Sequence, residues 1–331
     1  LHEDMRMRVN IFVEDLLFFK YIGCATVAKT LYRQLRRTNN LDLSWNSPTY
    51  DYDVVHYHTF GPMSLFNRKY TQGVKVLTAH STPRLNQGNL AFCNSINKYY
   101  PRIYKKFDHI ITISSPCQQE IERMVPEVPT TFIPNGVDRD LFKWDEEKRR
   151  RFREEYNIGE DERVVLTVAQ QTPRKGIYDF MELSRRFPDI RWVWVGGFPY
   201  GALSKDYLNI EQLKLHCGKN VTFTGIVPDI VGAYSGADIF FMPSYAETFG
   251  LVVLEALSCS LPVIARGITE FKEIYDGNAL FFDNLDQAAE LLMDEDALQQ
   301  CAHSARDFSE RFDIRKVARM HYDLYRELAA S

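Results

Sequence analysis

Two glutamates, Glu247 and Glu255, stand eight residues apart in "YAETFGLVVLEALSCSLPVIA", a run that is otherwise apolar, with Gly250 between them. Upstream, in "VLTVAQQTPRKG", Arg174 and Lys175 follow a strand-like segment and precede Gly176. Carboxylates so placed accept hydrogen bonds from hydroxyl groups. Adjacent Arg and Lys stabilise an anion, including one whose charge grows as a bond breaks. Residues from Phe249 onward have helical spacing, so Gly250 falls near a helix N-terminus, where unpaired amides and the positive dipole end suit a phosphate. Glycine also permits close backbone approach there. Taken singly, each is an ordinary solvated acid or a surface cation beside a turn; taken together they suit a ligand carrying both phosphate and hydroxyl groups.

Such a set needs rigid elements to present it. Apolar runs alternate with helical spacing along the whole chain. Strands are expected at 8–14, 52–58, 74–80 and 108–114, with 130–138 a strand running into a turn, and in a second series at 164–169, 191–197, 221–225, 237–244 and 261–265. Between them the spacing predicts helices at 23–37, at 89–106 (with Pro101 expected to kink or break it) and from Ser115 to about Met124, where Pro116 suits the first turn. The charged stretch "KWDEEKRRRFREEYNIGEDER" (143–163) reads as a solvated helix just after a domain transition. Strands this apolar, separated by helices, imply parallel sheets covered on both faces. The class is therefore α/β with two doubly wound domains, and ligands of such sheets bind at the carboxyl ends of the strands.

These motifs carry a resemblance. "PSYAETFGLVVLEALSCSLPVIA" resembles the signature of the family-4 retaining glycosyltransferases, and "VLTVAQQTPRKG", "FIPNGVDRDLF", "VTFTGIVP", "YDVVHYHTFGP" and "LTAHST" resemble further family segments in the expected order. The resemblance spans most of the chain and is strongest from Ile133 to Ile264. It implies the GT-B fold: two Rossmann-like domains facing a cleft, residues 1–136 on the acceptor side and 137–312 binding the nucleotide sugar, with a C-terminal helix at 313–331 crossing back to the first domain. It implies that Glu247 holds the transferred sugar and Glu255 the ribose. Arg174 and Lys175 would hold the diphosphate, and Thr248, Phe249, Gly250 and Leu251 would supply the loop and helix N-terminus around it. Many relatives have an arginine where this chain has Gln170, which brings hydrogen bonds but no charge and leaves more of the load to Arg174 and Lys175. Relatives show two glycines where this chain has "YIGCA", so Gly23 alone would approach the diphosphate. His80, ending a strand, would contact the donor sugar or assist catalysis.

Composition narrows the alternatives. The 331 residues are 45% hydrophobic and 25% charged, as in a packed globular protein. No apolar run reaches the ~18–20 residues of a membrane span. The opening "LHEDMRMRVNIFVED" does not read as a secretory leader, its apolar core being short and flanked by acids. Six cysteines lack any C-x-x-C pair, which fits a reducing cytoplasm. Asp51-Tyr52-Asp53 matches a metal-binding D-x-D pattern but precedes a strand, so its acids read as turn residues. His56 and His58 share a strand face without a carboxylate or cysteine set, so no metal site is expected, and no metal or other cofactor is assigned.

The net charge of −4 is unevenly spread: from Val54 to Phe107 there is no acid, while eight Lys or Arg occur. Within that window, residues 59–70 and 97–107 interleave cations with aromatics, as an interfacial surface does to hold anionic lipid. No nucleic-acid module is recognisable. Similar segments recur in family members that glycosylate membrane lipids. The expectation is a UDP-glucose- or UDP-galactose-dependent hexosyltransferase, peripheral on the cytoplasmic membrane face, with a diacylglycerol-type lipid or glycolipid as acceptor. A soluble or polysaccharide acceptor, and a non-catalytic nucleotide-sugar-binding subunit, stand as alternatives.

Overall fold

In the computed structural model, which describes residues 6–14, 23–38, 40–86, 97–198 and 201–330, the alternation becomes two parallel sheets. Among the described residues the first sheet has six strands, β1 (Met7–Phe12), β2 (Leu41–Trp45), β3 (Val54–Tyr57), β4 (Val74–Thr78), β5 (His109–Thr112) and β6 (Thr130–Phe132), in the order β2-β1-β3-β4-β5-β6. The second has β7 (Val164–Val168), β8 (Arg191–Val195), β9 (Val221–Gly225), β10 (Ile239–Met242), β11 (Val263–Arg266) and β12 (Leu280–Phe282), in the order β12-β11-β10-β7-β8-β9. Every named pairing is parallel; Val9, for example, lies between Leu43 of β2 and Val54 of β3. Central strands are apolar on both faces because both are covered: β5 and β10 are buried throughout.

The chain forms two compact units, one taking the residues up to Asp138 and from Phe312 onward, the other Arg139–Arg311. In the first, alternate strand residues feed separate cores. Val9, Ile11 and Val54 pack against Ala25, Ala28 and Leu31 of the helix Gly23–Leu35, while Val55 and Tyr57 meet Tyr100, Tyr104 and Ile121 on the other face. The final helix, Ile314–Ala330, buries Ile314, Val317, Ala318, His321, Leu324 and Tyr325 at helical spacing, and joins the first of these cores. Each buried aliphatic there is worth about 1.5–3 kcal/mol, so this distant segment is integral to the first unit. In the second unit Val165, Trp192, Trp194, Ile239 and Phe241 form the core with Phe180 of the helix Ile177–Arg186.

Several expectations are corrected. Sequence reading missed β2 and β12, both short and both outermost in their sheets. Of the helix expected over 89–106, residues 89–96 lie outside the described residues; Pro101 falls in the first turn of the short helix Tyr100–Tyr104 and starts it, since its missing amide costs nothing there. The last strand of the first sheet ends at Phe132, and the rest of 130–138 lies outside it, as a strand running into a turn. The stretch 143–163 is helical over Glu146–Glu155 and is not solvated all round, because Phe152 and Arg153 are buried. Arg153 donates to the carbonyls of Gly159, Glu160, Glu162 and Gly236 and to the Asp238 carboxylate, so its donors are spent inside the fold. Asp51 pairs with the Arg8 guanidinium, and Asp53 accepts from the Arg8 amide.

Candidate active site

In an open parallel sheet, ligands bind where the strand order reverses, at the carboxyl ends. In the second sheet that point lies between β7 and β10, which are neighbours although the chain runs outward from each in opposite directions. β7 is followed by a single 3₁₀ turn, Pro173–Lys175, closed by Gly176 at φ +77°. A Cβ there would sit 2.4 Å from the Pro243 carbonyl oxygen, so only glycine lets this turn lie against the loop that follows β10.

The two loops are stitched together. The Tyr245 amide donates to the Arg174 carbonyl at 2.8 Å, and the Arg174 guanidinium donates to the Ala246 carbonyl at 2.5 Å. Lys175 Nζ donates to Glu247 Oε1, and Arg174 lies 4.0 Å from the same oxygen. Glu247 is buried, and burial works to raise its carboxyl. Lys175 and Arg174 outweigh that and, helped by a hydrogen bond from Ser244, hold it below the usual carboxylate range. Burial lowers the Lys175 ammonium, against the pull of Glu247.

Gly250, at φ +75°, is the N-cap of the helix Leu251–Ser258 and has no side-chain cap. A Cβ at Gly250 would fall 2.4 Å from the Phe271 ring, and the Tyr275 hydroxyl donates to the carbonyls of Phe249 and Gly250 at 3.0 and 3.2 Å. The first amides of this helix lack partners within it, as at any helix start. Leu251 and Thr248 are half-buried, whereas the Phe249 side chain is in the core. Glu255 is buried one turn in and accepts from the Tyr234 hydroxyl at 2.7 Å; burial pushes its carboxyl up to about 7. Gln170 is half-buried, with its carbonyl accepting from the Thr172 amide. Its neighbour Gln171 is buried on the Gly196 carbonyl.

The second unit therefore brings Arg174, Lys175 and Glu247 into direct contact, and sets Thr248, Phe249, Gly250, Leu251 and Glu255 on the segment that follows. Sequence reasoning missed Tyr234, Ser244 and Tyr275. Only Ser244 lies within the motif; the tyrosines come from other helices and carry no local signal.

Gly23 and His80 belong to the first unit. Gly23 opens its helix, is exposed, and has no atom within 4 Å of a would-be Cβ. His80 Nε2 lies 2.9 Å from His58 Nδ1. His58 stacks at 4.2 Å on His56, which bonds Thr78 Oγ1 and the Tyr325 hydroxyl, both at 2.6 Å. Burial lowers all of these imidazoles, His80 to about 3, so they are neutral and in each pair one nitrogen donates and the other accepts. Among the described residues no group of three or more His, Cys, Asp or Glu is placed to hold a metal.

The two basic-aromatic segments also meet within the first unit. Phe60 packs on Tyr100 and Tyr104, and Arg68 of the helix Pro62–Tyr70 donates to the Lys106 carbonyl. Met63, Phe66, Tyr70 and Tyr99 are 50–61% exposed, and Tyr50, which sequence reading passed over, adds its ring beside Tyr70. Lys69, Lys98, Arg102 and Lys106 are exposed around them, whereas Lys105 pairs with Glu127 at 2.6 Å. Among the described residues no helix is long and apolar enough to cross a membrane.

Two doubly wound parallel sheets, one with cations and carboxylates at its switch point, define a GT-B type of glycosyltransferase. Comparison with known proteins gives the family. Residues 20–141 match Glycosyltransferase Family 4 and residues 148–307 match Glycosyl transferases group 1. The chain is 28% identical to alpha-galactosylglucosyldiacylglycerol synthase of Streptococcus pneumoniae, over 93% of this chain and 86% of that protein. It is 30% identical to processive diacylglycerol alpha-glucosyltransferase of Acholeplasma laidlawii, over 79% of each. In fold it is similar to sucrose-phosphate synthase of Thermosynechococcus elongatus, with TM-score 0.81 at 20% identity over 98% of this chain and all of that one. Anabaena HepE in complex with UDP-glucose gives TM-score 0.80 at 18% identity, with 98% of this chain and 100% of that one covered. The chain belongs to the family-4, group 1 glycosyltransferases and is an enzyme of that class.

Proposed function

We propose that this glycosyltransferase moves a hexosyl group from UDP-glucose or UDP-galactose to a diacylglycerol-type lipid or glycolipid, with retention at the anomeric carbon. The observation that carries the donor half is the buried Lys175–Glu247 contact at the β7/β10 switch point, with Arg174 beside it. Lys175, Arg174 and the amides of Gly250 and Leu251 bind the diphosphate, Glu247 the sugar hydroxyls and Glu255 the ribose diol. The exposed Ile226, after β9, gives the base an apolar face. The acceptor oxygen bonds to the anomeric carbon on the face from which the diphosphate departs, and its proton passes to the departing phosphate oxygen. Fixed cations meet the charge that develops there, so transfer is expected to persist in EDTA.

The acceptor half draws on the names of the two relatives, both of which specify diacylglycerol lipids and alpha linkages. An alpha product from an alpha-linked nucleotide sugar is retention. The face formed by Phe66, Tyr70, Lys69, Tyr99, Arg102 and Lys106 supports docking on anionic lipid at the inner membrane face, each cation adding roughly 1 kcal/mol near such a surface. A donor panel with lipid extracts, read by mass spectrometry, tests the assignment: a hexosyl-lipid supports it, and transfer confined to soluble or polymeric acceptors removes it. Vesicle flotation tests the docking. Binding to anionic but not neutral vesicles, weakened by salt, is the expected outcome.

A further inference from the structure

Three side chains outside the set assigned above converge on the two loops that carry it. Arg266 closes β11, and its guanidinium reaches in three directions. Nε donates to the Pro243 carbonyl at 3.1 Å, an Nη nitrogen donates to the Asp179 carboxylate at 2.5 Å, and the plane lies 4.0 Å from the Tyr245 ring centre. Phe282 adds a second ring at 5.0 Å. Burial, and then the neighbouring Asp179 carboxylate, raise the Tyr245 phenol. The Arg266 and Asp179 side chains are only 13% and 15% exposed.

Their chain positions give these contacts meaning. Pro243 and Tyr245 sit in the loop that presents Glu247. Asp179 sits in the first turn of the helix Ile177–Arg186, which begins directly after Lys175 and Gly176. One guanidinium thus bridges the supports of both members of the Lys175–Glu247 pair. Tyr245 is 54% exposed, so burial alone does not hold it; the Arg266 guanidinium lies over its ring and its amide donates to the Arg174 carbonyl. A planar fork with five donors can bond two acceptors while stacking on a ring; a lysine ammonium cannot. A buried ion pair is in itself a weak source of stability, so the consequence of this one lies in geometry.

We propose that Arg266 is a positioning residue for sugar transfer, clamping Pro243, Tyr245 and Asp179 so that Glu247 and Lys175 are held in the relative geometry that the departing diphosphate needs. This rests on the roles given to Glu247 and Lys175 above. A misplacement of about 1 Å at a reacting centre can cost about a hundredfold in rate.

The test uses the full chain carrying Arg266→Lys or Asp179→Asn, each with and without Glu247→Gln. With Glu247 present, kcat falls about tenfold to a hundredfold while the donor KM moves less than about threefold. In the Glu247→Gln background the same substitutions cost at least about threefold less in kcat, because one of the two groups they position is gone while Lys175 remains. Independently of activity, hydrogen exchange at Ser244–Gly250 becomes at least about tenfold faster in either variant while β7 and β8 keep their protection. Wild-type exchange in that loop overturns the clamp. Equal losses of kcat with and without Glu247 overturn the positioning role. If Arg266→Lys does not fold, Asp179→Asn alone decides both points. Should the wild-type chain transfer sugar from no donor, the functional reading fails by itself and the exchange measurement still decides the clamp.

Discussion

The same winding surrounds opposite electrostatics in the two units. Around β3 and β4 and the final helix, the first unit buries His56, His58 and His321 beside the half-buried His80: His58 bonds His80, His56 bonds Thr78 and Tyr325, and His321 bonds the Val317 carbonyl. At the ends of β7 and β10, the second unit buries Lys175 against Glu247 and keeps both charged. Neutral rings bond hydroxyls, a carbonyl or each other and need no counter-ion, although His58 Nε2 is buried without a hydrogen-bond partner. A charged pair stays buried only while its partner is present, so its loops must hold it in place. The first arrangement makes a packed wall expected to weaken in acid, and the second is, on the function proposed above, the site for an anion.

Acid should separate the two most strongly. In the unfolded chain a histidine takes up a proton as pH falls through its ordinary 6.5, whereas folded His321 does so only near 4 and folded His80 near 3. Stability from these groups is therefore present above pH 6.5 and is lost as pH falls, at about 1.4 kcal/mol per pH unit for each group. Burial lowers His56 and His58 as well, so between pH 6.5 and 4 the first unit should lose several kcal/mol. Glu255 runs the other way. Its folded carboxyl is raised to about 7 from 4.5, so its ionisation costs the second unit stability above pH 7, and that cost disappears on acidification. Hydrogen exchange resolved by segment should show β1, β3 and β4 opening at a pH where β7 and β8 remain protected. Simultaneous opening of both sheets would refute the contrast.

Charge removal should act just as unequally. Lys175→Ala or Glu247→Ala is expected to cut turnover by about two to three orders of magnitude, the scale for one preorganised electrostatic group. Lys175→Ala also leaves Arg174, 4.0 Å away, as the nearest cation to the buried Glu247 carboxylate, so thermal stability should fall with it. Near wild-type kcat in either variant would strip that residue of its role.

The two sites differ also in how much of them could be read from sequence. Lys175, Glu247, Gly250 and Glu255 could be placed on their elements because a strand end, a glycine turn and a helix start are each read within one motif, although the Lys175–Glu247 contact itself spans 72 residues. The doubly wound architecture was legible for the same reason, from apolar runs at a regular spacing. Tyr234 reaches Glu255 from a separate helix, and Tyr325 reaches His56 across most of the chain, so no spacing could announce either contact. Arg153 misled because composition marks a charged stretch as solvated, while a guanidinium can be buried once enough carbonyls face it. β2 escaped notice because at the sheet edge only Leu41 of its five residues is buried, which weakens the apolar signal.

A smaller effect probes Glu255, whose carboxyl burial raises to about 7. The Tyr234 hydroxyl holds the Glu255 carboxyl lower than burial alone would leave it. If ionised Glu255 accepts the ribose diol, donor KM should fall as pH rises through about 7 and flatten above it. Tyr234→Phe removes the counteracting bond, so the midpoint should move to higher pH, and near pH 7 the donor KM should rise by about threefold to tenfold, the worth of one hydrogen bond to a charged group. Glu255→Gln, which cannot ionise, should give a donor KM independent of pH across the same range. His80, lowered to about 3, contributes no step between pH 6 and 8. A midpoint near 7 that survives Glu255→Gln would assign the titration to another group and take the ribose contact away from Glu255.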